Sequence, residues 1–79
     1  MPTVLRCKGY RFFFFALDRG ESPHIHVEKD DALAKFWLHR VEIAYVDGFS
    51  GHEITFLIKF IVKHRNVFIG RWNAFFEEK

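Results

Sequence analysis

The run Pro23-His24-Ile25-His26-Val27-Glu28 sets two imidazoles and a carboxylate at alternate positions, with Ile25 and Val27 between them. Alternation of this kind is a β-strand signature. At a rise of about 3.3 Å per residue, His24, His26 and Glu28 stand on one face with neighbouring Cα atoms about 6.5 to 7 Å apart. Several chemistries suit such a face. His24, His26 and Glu28 are candidate ligands for a divalent metal such as zinc, nickel or iron, and a closed site needs a further donor, from His39 or elsewhere. As catalytic groups, His24 and His26 suit acid–base work, because histidine is the side chain that ordinarily titrates nearest neutral pH. One ring can deprotonate a ribose hydroxyl while the other protonates a leaving oxygen, with Lys35 or Arg40 stabilising phosphate charge. As a binding surface, the histidines and Lys35 can hold phosphate while Trp37 stacks on a base. The remaining role is architectural, with the imidazoles holding the hairpin through hydrogen bonds to the loop over residues 18–22.

The elements that must present this face are strands. Residues 3–8 and 10–17 are rich in β-branched and aromatic side chains and are expected to pair across Gly9, followed by a loop over residues 18–23. In the second strand, Phe12 to Phe15 place two rings on each face, so the strand needs cover on both sides. A helix can supply one cover, and the rest of the sheet or another chain the other. The histidine strand and the segment 32–38 form a hairpin across Asp30-Asp31. In that register Glu28 faces Leu33, Val27 faces Ala34, His26 faces Lys35, Ile25 faces Phe36 and His24 faces Trp37. Ile25, Val27, Ala34, Phe36 and Leu38 then share an apolar face, while His24, His26, Glu28, Lys35, Trp37 and His39 share the other. A slip by one residue mixes the two groups. Residues 40–46 alternate again, with Val41, Ile43 and Tyr45 on one side.

Phe49-Ser50-Gly51-His52-Glu53-Ile54 opens a helix: Ser50 caps, Glu53 returns the bond, and Phe49 staples to Ile54. Apolar positions from Ile54 through Leu57, Ile58, Ile61, Val62, Phe68, Ile69, Trp72, Phe75 and Phe76 keep a 3.6-residue period. The helix is expected to be continuous or broken near Arg65-Asn66, where Lys63, His64 and Arg65 suit a C-terminus and Asn66 a new cap.

Seventy-nine residues make one domain over residues 1–79, small enough to need a dense core. Eleven Phe in a chain that is 19% aromatic supply one, with enough left over to suggest a partner or a second copy of the chain. Cys7 is the only cysteine, which rules out an intrachain disulfide and a site of several thiolates, and fits a cytoplasmic location. No apolar run approaches membrane-spanning length, so a soluble protein is expected. The net charge of +2 is too small for a globally cationic binder, although Lys59, Lys63, His64, Arg65 and Arg71 concentrate basic charge late in the chain. No nucleotide loop, serine elbow or paired-carboxylate motif is present.

The start Met1-Pro2-Thr3-Val4, the run Tyr10-Arg11-Phe12-Phe13-Phe14, Ser22-Pro23-His24-Ile25-His26-Val27, Ala34-Lys35-Phe36-Trp37-Leu38 and the late Trp72 together resemble a family of small bacterial domains of unknown function, number 4160 in that series. The Pro-His-x-His strand followed by Ala-Lys-Phe-Trp is the most specific part. Members often lie beside a second small gene in an arrangement that looks like a toxin with its antitoxin. The resemblance therefore implies a bacterial cytoplasmic protein with a cognate antitoxin-like partner, and it implies no particular reaction.

These readings converge on an α+β fold, an antiparallel meander of four to five strands packed on one long or kinked C-terminal helix. The expected function is that of a toxin-like component acting on RNA or another phosphate-bearing target through His24 and His26, with Lys35, Trp37 and Arg40 as binding groups. The alternative is a non-catalytic metal- or partner-binding module whose histidines are ligands or structural groups. A divalent metal is the candidate cofactor, and a homo-oligomer is a candidate assembly.

Overall fold

The computed structural model describes residues 3–77, so Met1 and Pro2 of the family-like start lie outside the described residues. Five antiparallel strands, β1 (Thr3–Cys7), β2 (Tyr10–Phe13), β3 (His24–Lys29), β4 (Ala32–Trp37) and β5 (Glu42–Asp47), lie side by side in chain order. Two helices follow, α1 (Gly51–Lys63) and α2 (Arg65–Phe76), and the whole is the expected α+β meander. Among the described residues, no helix is long and apolar enough to cross a membrane.

The turns explain the register. Lys8 and Gly9 both have positive φ, as a two-residue hairpin turn demands, and Cys7 pairs with Tyr10 across it. Asp30 takes the left-handed conformation in the next hairpin, which its short polar side chain tolerates. Every pair expected between His24 and Glu28 on β3 and Leu33 and Trp37 on β4 is formed. Burying one face enforces this, because a slip would turn Ile25, Val27, Ala34 and Phe36 away from the core.

Two helix expectations meet their residues closely. The Ser50 hydroxyl accepts from the Glu53 N–H at 3.2 Å, and the Glu53 carboxylate accepts from the Ser50 N–H at 3.0 Å. The helix is broken rather than continuous, and the break falls at His64. There the side chain turns back so that Nδ1 donates to the Phe60 carbonyl at 2.9 Å and the ring stacks on Phe60. Asn66 lies inside α2, which starts on His64 without a side-chain cap. Arg65 uses its guanidinium to bind the Leu38 and His39 carbonyls, anchoring α2 to the end of β4.

The core lies between the sheet and the helices. Tyr10, Phe12 and Phe14 alternate toward the helices: Tyr10 stacks on Phe56, Phe12 on both Phe60 and Phe68, and Phe14 meets Trp72 edge-on. The expected strand over residues 10–17 is shorter than its composition suggests. It ends at Phe13, and Ala16–Asp18 forms a single 3-10 turn that folds the chain back over the opposite face of the sheet. That fold-back is the second cover for the Phe run. Phe12, Phe13 and Phe14 are each no more than 1% exposed, so these rings give no reason for a second copy of the chain.

In β5, pairing shifts so that Lys35 faces Tyr45 while Phe36 faces Ile43. The extra residue, Ala44, puts Tyr45 on the Lys35 side and Ile43 on the Phe36 side, instead of leaving both with Val41 on one side. A bulge of this kind is common on an edge strand.

Candidate functional site: a buried Asp–His–His cluster beside an open cavity

The residues after Phe13 build one wall of the site. Asp18 and Phe15 bond reciprocally, Asp18 N–H to the Phe15 carbonyl at 3.0 Å and Phe15 N–H to Asp18 Oδ2 at 2.9 Å. This closes a short loop and aims the carboxylate at the sheet. β3 supplies the other wall, because its alternation points His24 and His26 toward the same carboxylate. His26 Nε2 donates to Asp18 Oδ2 at 3.0 Å, and His24 Nε2 lies 3.1 Å from the same oxygen. All three side chains are buried: His24 is 0%, His26 4% and Asp18 7% exposed.

Aromatic rings seal the cluster. Phe13 stacks on His26 and Phe15 meets it edge-on, while Trp37 and Trp72 contact His24 from two sides. Burial pushes the His26 imidazole below its ordinary range, because an imidazolium there would lose its water. The Asp18 carboxylate opposes that shift, and His24 and Lys35 add to it.

The hydrogen-bond roles at His24 follow from its backbone partner. Its Nδ1 lies 2.8 Å from the Ser22 carbonyl, which can only accept, so Nδ1 carries the hydrogen. With its one hydrogen held at Nδ1, the neutral form of the ring presents a lone pair at Nε2. That atom is buried and has no hydrogen-bond partner despite its closeness to Asp18, because the approach is off the line a hydrogen bond needs. His26 Nδ1 is likewise buried without a partner.

The expected site residues fall in three places. His24 and His26 meet in the cluster, where Asp18 supplies the carboxylate. Glu28, the expected third metal donor, instead binds Arg11 on β2 at 2.8 Å and is not among the three donors that lie within 4.8 Å of one another. Trp37 and Arg40 line an open cavity of about 230 Å³ with Ser22, Pro23, His39 and Glu42. Lys35 stands beside it, with Nζ 4.6 Å from the centre of the Trp37 ring and 2.9 Å from Glu21. The cavity and the cluster are neighbours: the Ser22 carbonyl that fixes His24 and the Trp37 ring that touches it belong to both.

Asp18 was not singled out by spacing, because a lone aspartate after a Phe run reads as the first residue of a loop. Its one signal is the expectation that the histidines bond to the loop over residues 18–22, and both do so, through Asp18 and the Ser22 carbonyl.

No curated protein and no solved structure matches the chain. The family model described as a domain of unknown function, DUF4160, matches residues 9–73, a span that runs from the first hairpin turn through both histidines and the cavity to just past Trp72. A match of that extent, carrying the cluster and its covering loop together, makes this chain a member of the DUF4160 family.

Proposed function

We propose that the chain is the toxin-like component of a bacterial toxin–antitoxin-type pair and takes a phosphate-bearing ligand, single-stranded RNA first among them, at the cavity beside Trp37. The observation that carries this reading is that Trp37 and Arg40 line one open cavity, with His39 beside them. An indole offers a stacking face to any base, and a guanidinium is the side chain best matched to phosphate. Arg40 is exposed, and among the described residues it has no ion-pair partner, so its charge is available to a ligand. Lys35 lies over the Trp37 ring with its charge paired to Glu21, and Glu42 also lines the cavity, so Arg40 is the cation the reading relies on.

In this reading His24 and His26 act from beneath the cavity. Both rings are buried, so a polynucleotide meets Trp37 and Arg40 at the surface, while the cluster holds Ser22 and Trp37 in place. The test is quenching of tryptophan fluorescence by short single-stranded RNA across a salt series. Affinity is expected to fall as salt rises, Trp37→Ala to weaken binding by roughly 1 to 3 kcal/mol, and Arg40→Gln to reduce the salt slope by about 0.7. Salt-insensitive binding, or binding untouched by Trp37→Ala, would remove the reading. Growth inhibition on expression, relieved by a neighbour-encoded small protein, tests the toxin-like role separately.

A second reading, a non-catalytic binding module, is favoured by a different observation. The histidines are sealed under rings and the 3-10 turn, as structural or ligating groups are and as groups attacking a polymer are not.

A further inference from the structure

We infer that Asp18, His24 and His26 form a binding site for one divalent first-row transition ion of the zinc class, with the Ser22 carbonyl as the group that orients His24 toward it. The inference deepens the second reading above and does not depend on RNA binding.

The first observation is the tautomer. A histidine that ligates a metal through one nitrogen almost always donates the other ring N–H to a carbonyl or carboxylate, which fixes the ring and turns the lone pair to the metal. His24 does this, with Nδ1–H on the Ser22 carbonyl and the Nε2 lone pair turned inward. That nitrogen lies 3.1 Å from a carboxylate oxygen in a buried setting and no protein hydrogen bond satisfies it. A buried polar atom with no partner is costly.

The second observation is the combination of distance and misalignment. His24 Nε2 and Asp18 Oδ2 are close, yet the oxygen is off the line that a hydrogen bond from Nε2 requires. Two donors on one tetrahedral ion stand in this relation, because each lone pair points at the ion and not at the other donor. With bonds of about 2.0 to 2.1 Å, the donor-to-donor edge is about 3.3 Å. The separations at Asp18 Oδ2, 3.1 Å to His24 and 3.0 Å to His26, are near that edge, while the spread of all three donor atoms, 4.8 Å, is wider than it, so the two imidazoles draw together when the ion binds.

The donor set decides the class of ion. Two imidazoles and one carboxylate suit zinc, ferrous iron, cobalt or nickel, whereas calcium and magnesium take all-oxygen shells. Ligation through His26 Nε2 requires the hydrogen that this atom donates to Asp18 in the metal-free network to move to Nδ1 of the same ring, so the imidazole binds as a neutral ligand and no proton is released. Asp18 is the ligand sequence spacing could not supply. The 3-10 turn brings it to the histidines, while Glu28, the donor that spacing favoured, is held by Arg11.

The test uses the full chain, stripped with a chelator and dialysed against zinc, with metal measured per chain, and Co²⁺ as a spectroscopic probe. One Zn²⁺ per chain is expected, with the intense visible bands of low-coordinate Co²⁺ and Zn²⁺-dependent displacement of the His24 and His26 Nε2 resonances in ¹⁵N-histidine spectra. Asp18→Asn and His24→Gln are expected to weaken binding by at least about 100-fold, while Glu28→Gln and His39→Gln leave it unchanged. The nitrogen spectra are read on the unsubstituted chain, so they decide the matter even if a cluster variant fails to fold. Binding below one ion per chain, unmoved Nε2 resonances on zinc addition, or equal affinity in the Glu28 and Asp18 variants would each overturn the inference.

Discussion

Replacing Asp18 by alanine is the most searching perturbation of this fold, because one carboxylate oxygen organises both walls of the site. Oδ2 accepts from Phe15 N–H at 2.9 Å and from His26 Nε2 at 3.0 Å. Removing it leaves two donors without partners. Phe15 is half-buried, so its N–H recovers some water, at a cost of about 1 kcal/mol; the sealed His26 donor costs about 2 to 3 kcal/mol. The expected loss is therefore about 3 to 4 kcal/mol, a large share of the roughly 4 to 12 kcal/mol typical of a domain this size. At a urea m-value of about 1 kcal/mol/M, the unfolding midpoint should fall by about 3 M, followed by circular dichroism in chelated buffer so that hydrogen bonding alone is read. Asp18→Asn keeps one acceptor and should lose about half as much. A double-mutant cycle with His26→Ala should give a coupling of about 1 to 3 kcal/mol. If Asp18→Ala shifts the midpoint by less than about 1 M, or the cycle shows no coupling, Asp18 does not pin the loop to the sheet and the account of the site collapses with it.

Two further outcomes concern the scaffold. The Glu53 carboxylate is held below its ordinary range by the Ser50 N–H first and then by the Tyr10 hydroxyl, so its contribution to stability is fully present above the unfolded value, near 4.5, and is lost as pH falls through the lower folded value. Melting curves between about pH 3 and 6 should show that loss in the parent chain and a flatter profile in Glu53→Gln. At Gly48, φ is +93° and a Cβ would stand 3.2 Å from the Cα and Cβ of Ala32, so Gly48→Ala should destabilise by about 1 to 3 kcal/mol. A melting temperature equal to the parent's would show that the turn relaxes freely.

Local patterning carried most of the scaffold. The β3–β4 register was legible because only one pairing puts Ile25, Val27, Ala34 and Phe36 together, and the start of α1 was legible because Ser50 and Glu53 cap it through bonds three residues apart. Period and capping are short-range physics, so neighbouring residues suffice to reveal them. Where β2 ends was not legible. Phe14 and Phe15 have strand-like composition, but Phe14 packs on Trp72 of α2 and Phe15 bonds to Asp18, contacts that exist only once the chain has turned back.

The same division runs through the site. Spacing alone put His24 and His26 on one face and Trp37 opposite His24, since the pleat allows nothing else. It also put Glu28 on that face, and there tertiary structure decided differently: Arg11 on the neighbouring strand claimed the carboxylate, and the 3-10 turn delivered Asp18 in its place. Which carboxylate meets a pair of imidazoles depends on how a ten-residue connection between two strands folds over the sheet. The sequence of β3 therefore determined that two histidines would share a face, while the packing of that connection decided that they are buried, which nitrogen of His24 is left bare, and that an aspartate lies against it.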